Sequence, residues 1–271
     1  MIDIGLGLEE SHVMVTGSSG AIGSVIVKAF LAAGAYVSAF DLVEPKELIF
    51  HDHLHSQIVD ITNESQVDEA FETARERFGV VATLVAAAGL DLSYLPRHSL
   101  ADMSLNEWKK VMNVNVDGTF LTCRAWLRGI RAYAKAGNTR NVAAVILGSE
   151  AGRFGVSSCA PYATSKAAIQ VGLVKSLAAD VASINPSWRV NAIAPGAVDT
   201  LMFRKECADD PAALWREAQA TVAMKKPVAI EAVARACLFL ASDAFAGNIT
   251  GQLLPVDSGK SGTLYWLEKN P

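Results

Sequence analysis

Residues 12–16 run into a turn built from Gly17, Ser18, Ser19, Gly20, Ala21, Ile22 and Gly23. Apolar residues then recur at helical spacing up to residue 33, and Gly34 stands where a helix C-cap is expected. A second apolar run over 35–40 ends on Asp41. A strand, a glycine-rich turn, a helix and a second strand in that order constrain the fold more than any other feature. Parallel strands need a crossover, and a helix is the usual one.

The alternation continues along the chain. A strand is predicted at 57–59, a helix at 64–78 stopped by Gly79, and a continuous apolar strand at 80–88. Such a strand fits a sheet covered on both faces. Ser104 and Glu107 form a capping-box pattern that opens a helix running to about residue 136. Strands at 141–147, 189–193 and 252–256 and helices at 161–182 and 230–240 complete the series. The fold class is therefore α/β, a doubly wound parallel sheet with helices on both faces. One domain is expected over 1–271, with an insertion at about 200–226 that covers a ligand pocket.

Composition excludes several classes. With 51% hydrophobic residues and 19% charged ones, the chain has ample core and no case for disorder. A net charge of −4 argues against nucleic-acid or anionic-membrane partners. Cys123, Cys159, Cys207 and Cys237 form no CxxC pair and are expected to be free thiols. No basic leader precedes the first strand, and the longest apolar stretch, about 80–90, is too short to cross a bilayer. A soluble, cytoplasmic protein is the expectation.

The glycine turn has chemistry of its own. Small residues let a backbone approach a pyrophosphate, and a helix N-terminus offers unpaired N–H groups and the positive end of a dipole. The spacing is Gly-x-x-Gly-x-x-Gly, which alone is also compatible with an ordinary tight turn. Asp41, at the end of the second strand, adds an acceptor for ribose hydroxyls. No Arg or Lys occurs in the turn, and the first basic residue after Asp41 is Lys46. NAD is therefore expected over NADP.

Tyr162 and Lys166 stand four apart near the start of a predicted helix, on one face. A phenol of pKa ~10 is a poor base at neutral pH. A lysine ammonium about 4 Å away is worth on the order of 4 kcal/mol, a depression of roughly three units before desolvation offsets part of it. The pair is thus a route to a phenolic acid/base.

Taken with Asp41 and the glycine turn, in this order, the chain resembles the short-chain dehydrogenases/reductases over about residues 6–259, a family with the Rossmann arrangement. The resemblance implies a catalytic set of Asn115, within Val114-Asn115-Val116-Asp117-Gly118-Thr119-Phe120, Ser149, thirteen positions before the tyrosine, Tyr162 and Lys166. It implies a cofactor site formed by Gly17, Ser19, Gly20, Ile22, Gly23, Asp41, Asp60, Ile61, Ala87, Ala88, Gly89, Tyr162, Lys166, Pro195, Gly196, Val198 and Thr200. Asp60 would contact adenine, and Val198 and Thr200 the carboxamide. Ser149 would polarise the substrate oxygen, and Asn115 would support a proton-relaying water chain. Two departures stand out: Ala86-Ala87-Ala88-Gly89 replaces a pair of asparagines before Ala-Gly, and Ala21 stands where a glycine is usual. The first removes side-chain hydrogen bonds near the cofactor. The second gives a glycine spacing like that of sugar-nucleotide epimerases, which the short chain argues against.

The expected function is an NAD-dependent alcohol dehydrogenase interconverting a secondary alcohol and a ketone. An acyl-thioester ketoreductase and a non-catalytic cofactor-binding scaffold or sensor are the alternatives. Leu90, Leu92, Glu150, Phe154, Cys159, Leu201, Met202 and Phe203 are the expected pocket residues. Their mostly apolar character suits a hydrophobic substrate of terpenoid or polyketide type. His51, His53 and His55 alternate as a strand-borne metal site would, yet are expected in a solvated loop, with no metal. The family resemblance implies a homotetramer or homodimer. The apolar tail residues Leu264, Tyr265, Trp266 and Leu267 are expected to pack on a neighbouring subunit or over the pocket.

Overall fold

The computed structural model describes residues 4–45, 51–134, 140–210 and 212–263. Its strands are β1 (His12–Thr16), β2 (Tyr36–Asp41), β3 (Leu54–Ile58), β4 (Thr83–Ala86), β5 (Ala143–Leu147), β6 (Arg189–Pro195) and β7 (Leu253–Val256). They form one seven-stranded sheet in the order β3-β2-β1-β4-β5-β6-β7. Every pairing is parallel. The chain builds outward from β1 to β3, then returns to lay β4 on the other side of β1. The strand order reverses there, where sheets of this kind open a crevice for ligands.

Period-two alternation assigns each strand residue to one of two cores. Met14, Leu84, Ala144 and Ile146 face one side, with helices α2 (Glu64–Phe78), α4 (Thr119–Tyr133) and α7 (Val174–Ile184). Val13, Val15, Val85 and Val145 face the other, with α1 (Ala21–Ala32) and α10 (Ile230–Ala241). The Ser104–Glu107 capping box opens α3 (Leu105–Met112) as predicted. Arg189, buried at the start of β6, donates to the carbonyls of Leu240 and Ala241 and pairs with Asp243. It satisfies carbonyls that the end of α10 leaves unpaired.

Several boundaries differ from expectation. The fourth strand is only Thr83–Ala86, and Ala87 and Ala88 leave the ladder to pack against the Gly17 turn. The third begins earlier, at Leu54, so His55 lies on a strand and not in a solvated loop. Leu54 pairs with Val37 and draws the histidines against Tyr36. Among the described residues, no group of three His, Cys, Asp or Glu side chains is placed to hold a metal.

The two long helices are also interrupted. The π-helical turn Asn113–Gly118 joins α3 to α4; after the one-turn helix α5 (Ala151–Phe154), another, Ala168–Leu173, joins α6 (Ala160–Ala167) to α7. The sequence pattern carries one helix through each of them, because a π-helix is mostly a single-turn bulge that does not end the α-helix around it. The run Ala160–Ile184 is, by length and composition, apolar enough to cross a membrane, a stretch missed in favour of 80–90. Here Ile169, Val174, Leu177 and Val181 pack into the core beneath the sheet.

The insertion after β6 contains α8 (Leu201–Asp209) and α9 (Ala213–Ala218). It is tied down by the chain's last described segment: Ala223 and Met224 donate to the carbonyls of Gly259 and Ser258, and Val222 bridges Lys260. The apolar tail at 264–267 lies outside the described residues.

His12 is buried at the start of β1, with ring nitrogens 2.8 Å from the Gly79 carbonyl oxygen and 2.9 Å from Ser38 Oγ. Burial lowers its pKa from 6.5 to about 4. A histidine whose folded pKa lies below its unfolded value must gain a proton to unfold in the intervening range. Stability is then complete above pH 6.5 and falls between about 6.5 and 4, by roughly 3 kcal/mol in all. Chemical denaturation across that range should show the loss, and His12→Gln should flatten it. An equal pH dependence in the variant would contradict this assignment.

Candidate active site

The first turn is shaped by contacts that exclude a side chain. Gly17 has φ +70°, and a Cβ there would lie 2.8 Å from the Ala88 backbone. The turn after β1 thus presses against the segment after β4, where the strand order reverses. A Cβ on Gly23 would sit 1.9 Å from the Gly17 carbonyl oxygen. No side chain caps α1 at Gly20, so its first turn keeps N–H groups for a ligand. The cradle therefore fits a dinucleotide pyrophosphate.

Asp41 ends β2 beside this turn. Its carboxylate accepts from the backbone N–H of Ser19 at 2.9 Å and of Val43 at 3.2 Å. Ser18, Ser19, Asp41, Val43, Ser56 and Ile58 line a small crevice there. Asp60 is turned onto its own loop and accepts from the Thr62 N–H and hydroxyl. Ile61 packs where a Cβ on Gly118 would fall, 2.6 Å from Ile61 Cδ1. The Ala86–Gly89 segment, lacking the family's asparagines, is held by Thr16, whose Oγ1 accepts from the Ala88 N–H at 3.2 Å. Thr200 caps α8 by accepting from the Phe203 N–H, and Val198 pairs with Val228. The Pro195 carbonyl accepts from the Glu150 N–H, and Gly196 donates to the Val256 carbonyl.

The catalytic candidates converge at the end of β5. The Tyr162 phenol lies close enough to the Ser149 side chain for that serine to favour its ionised form. Buried Lys166 has its Nζ 5.8 Å from the centre of the Tyr162 ring and donates to the Leu147 carbonyl at 2.9 Å. Asn115 is fully buried within the first π-helical turn. Its Oδ1 accepts from the Leu90 N–H at 2.7 Å, and its Nδ2 donates to Ser165 Oγ at 3.0 Å. Ser165 in turn donates to the Tyr162 carbonyl. Asn115 is thus linked through Ser165 to the backbone of Tyr162, and Ser149 and Lys166 lie beside the tyrosine ring.

Electrostatics correct one expectation. Burial pushes the Tyr162 phenol up to about 12, opposed by Ser149 and reinforced by Asp91, Cys159 and Glu150. Burial also brings Lys166 down to about 8, with Asp91 acting to raise it. Desolvation, and not the lysine, sets the phenol in the protein alone. The expected depression of the tyrosine thus requires further positive charge in the site.

The pocket residues divide. Leu201, 84% exposed, and Phe154 stand at the surface, and Leu90, Leu92, Met202 and Phe203 are partly buried. Cys159 is buried and its thiol pKa is raised, chiefly by burial, so it offers no open pocket surface. Glu150 was expected as pocket lining, but its carboxylate turns to Lys260 Nζ at 3.6 Å. Burial raises it to about 7, against the pull of Lys260 and with Asp257 and Glu217 reinforcing the rise. Sequence reading missed this buried pair. Its only signal was a charged residue directly after Ser149, and the partner lies more than a hundred positions away.

Known proteins resemble this chain over nearly its whole length. Residues 17–261 match the family model described as Enoyl-(Acyl carrier protein) reductase. The chain is 32% identical over 256 residues to Dehydrogenase/reductase SDR family member 6 of Danio rerio, covering 93% of this chain and 98% of the relative. It is 30% identical over 258 residues to the 3-oxoacyl-(acyl-carrier-protein) reductase FabG of Escherichia coli (strain K12), covering 94% and 98%. The ligand-free aldohexose dehydrogenase of Thermoplasma acidophilum superposes with a TM-score of 0.81 at 27% identity, covering 97% of this chain and 98% of that one.

Proposed function

Because the chain belongs to the short-chain dehydrogenase/reductase family, we propose that it is an NAD-dependent oxidoreductase that interconverts a secondary alcohol and a ketone on a hydrophobic small molecule. The observation that carries this reading is the convergence of the Tyr162 phenol, the Ser149 side chain and buried Lys166, whose Nζ lies 5.8 Å from the Tyr162 ring. When bound, the nicotinamide supplies hydride acceptance or donation. In the oxidative direction Tyr162 takes the hydroxyl proton, and Ser149 holds the same oxygen. Lys166, already buried against β5, contributes positive charge that favours the phenolate. Asn115 fixes the segment after β4 through the Leu90 N–H and supports proton exchange with solvent.

The substrate class rests on the apolar character of Leu90, Leu92, Phe154, Leu201, Met202 and Phe203, the residues expected around the substrate. A second reading, reduction of an acyl-thioester ketone by the same residues, is favoured by the similarity to the Escherichia coli reductase.

Assembly as a homodimer or homotetramer through the long helices is part of the proposal. Phe120 on α4 and Val171 in the second π-helical turn are exposed apolar residues on those helices. Light scattering should give the mass of two or four chains, and a monomer at micromolar concentration would contradict it. Tyr162→Phe should leave cofactor affinity intact and lower kcat by about 10² to 10⁴, the usual weight of a general acid/base. Near-normal turnover in that variant would refute the proton-transfer role.

Cofactor choice rests on Asp41 and on the lack of any Arg or Lys at 17–23 and 42–45. A 2′-phosphate would meet the Asp41 carboxylate with no compensating cation from those segments. Loss of a charge-assisted hydrogen bond, on the order of 1.5–3 kcal/mol, predicts at least about a tenfold preference for NAD in kcat/KM. Asp41→Ala should narrow the preference, and adding Leu42→Arg should narrow it further or reverse it. Equal use of the two cofactors by the unaltered protein would overturn this placement of Asp41.

A further inference from the structure

We propose that Gln170 is a positioning residue for Ser149, the third rung of a ladder that Tyr162 and Lys166 begin. The proposal rests on the reading of Ser149 and Tyr162 as the reacting pair. Positions 162, 166 and 170 are successive i, i+4 neighbours, so their side chains share one helix face. Each grips the end of β5 differently. Tyr162 sets its phenol beside the Ser149 side chain, Lys166 donates to the Leu147 carbonyl, and Gln170 Oε1 accepts from the Ser149 backbone N–H at 2.8 Å.

Gln170 is 1% exposed on a helix whose other buried positions nearby are mostly apolar. Burying an amide is costly unless it is hydrogen-bonded. Its Nε2 has no partner among the described residues, so the single bond made by its oxygen is what the amide provides. It lies in the π-helical turn Ala168–Leu173, a distortion that often accompanies functional positions.

The surrounding sequence makes room for this side chain. A Cβ on Gly148 would lie 2.1 Å from Gln170 Oε1, and one on Gly152 would lie 2.5 Å from Nε2. Neither glycine has a positive φ, so space and not backbone conformation calls for glycine at both. Other partners fix the neighbouring backbone: Gly148 donates to the Ile193 carbonyl, Glu150 to Pro195, and Gly152 to Ser149. The Ser149 N–H depends on Gln170 alone among these contacts. Loss of that acceptor would leave a part-buried donor without its partner and let Ser149 turn away from the phenol.

The test compares Gln170→Met, which keeps volume but removes the acceptor, with Gln170→Glu, which keeps an acceptor oxygen. NAD with cyclohexanol, 2-octanol and ethyl 3-hydroxybutyrate serves as the probe set, with NADH binding followed by fluorescence. Gln170→Met should lower kcat about tenfold, the rate equivalent of one part-buried donor left without its partner, with KM and NADH affinity unchanged. Gln170→Glu should restore kcat. Gly148→Ala should reproduce the methionine variant by displacing the amide, and adding it to Gln170→Met should cost nothing further. NMR-detected exchange of the Ser149 amide should accelerate in Gln170→Met. Unchanged kcat in that variant, or equal losses in the Met and Glu variants that track a lower Tm, would overturn the proposal. If the unaltered protein turns over none of the three alcohols, the proposed substrate reading fails by itself. Amide exchange then decides the role of Gln170: unaltered protection of Ser149 in Gln170→Met would overturn it.

Discussion

The position a Gly23 Cβ would occupy lies 1.9 Å from the Gly17 carbonyl oxygen, and that of Gly17 falls 2.8 Å from the Ala88 backbone. These two exclusions bring the first helix, the turn before it and the segment after β4 together at the point where the strand order reverses. A side chain at either glycine would hold the three apart. Their close approach leaves the α1 N-terminus uncapped, places Asp41 against the turn, and directs the segment after β4 toward Asn115. The Leu90 N–H then bonds Asn115, and Asn115 reaches Ser165 beside Lys166. Cofactor cradle and catalytic network are thus two ends of one packed path.

The site is held against its own electrostatics. Burial drives the Tyr162 phenol up and the Lys166 ammonium down, so both groups resist ionisation. Ser149 acts to lower the phenol, and the Lys166 bond to the Leu147 carbonyl offsets part of the cost of its burial. The arrangement suits a group that releases and accepts a proton only when further positive charge enters the crevice. Glu150, one residue beyond Ser149, is likewise pushed up to about 7 and ties the end of β5 to Lys260. Through Lys260, which bridges Val222, it also links β5 to the segment that closes the 200–226 insertion.

Much of this was legible in the sequence because it depends on local rules. The glycine turn, Asp41, the i, i+4 spacing of Tyr162 and Lys166, and the Ser104–Glu107 cap each announce themselves within a few residues. Strand alternation gave the parallel sheet. What escaped reading depends on partners far along the chain. Lys260 meets Glu150 only after the sheet has formed, and Leu54 joins β3 only because Val37 lies beside it. The two π-helical turns are single-turn bulges that do not end the helices they sit in, so the sequence pattern predicts continuous helices. Gln170 was visible as a polar residue in an apolar helix, but its meaning needed Gly148 and Gly152 in space.

The central claim is that hydride moves between nicotinamide and the carbinol carbon of a secondary alcohol, with Tyr162 carrying the proton. It is tested most directly by supplying NADH deuterated at the transferable C4 position, together with a set of hydrophobic ketones and α,β-unsaturated ketones, and locating the label by mass spectrometry and NMR. One deuterium on the carbinol carbon of the alcohol product is the predicted result. Deuterium on the β-carbon of a saturated ketone, or no labelled product from any of these compounds, would contradict the account.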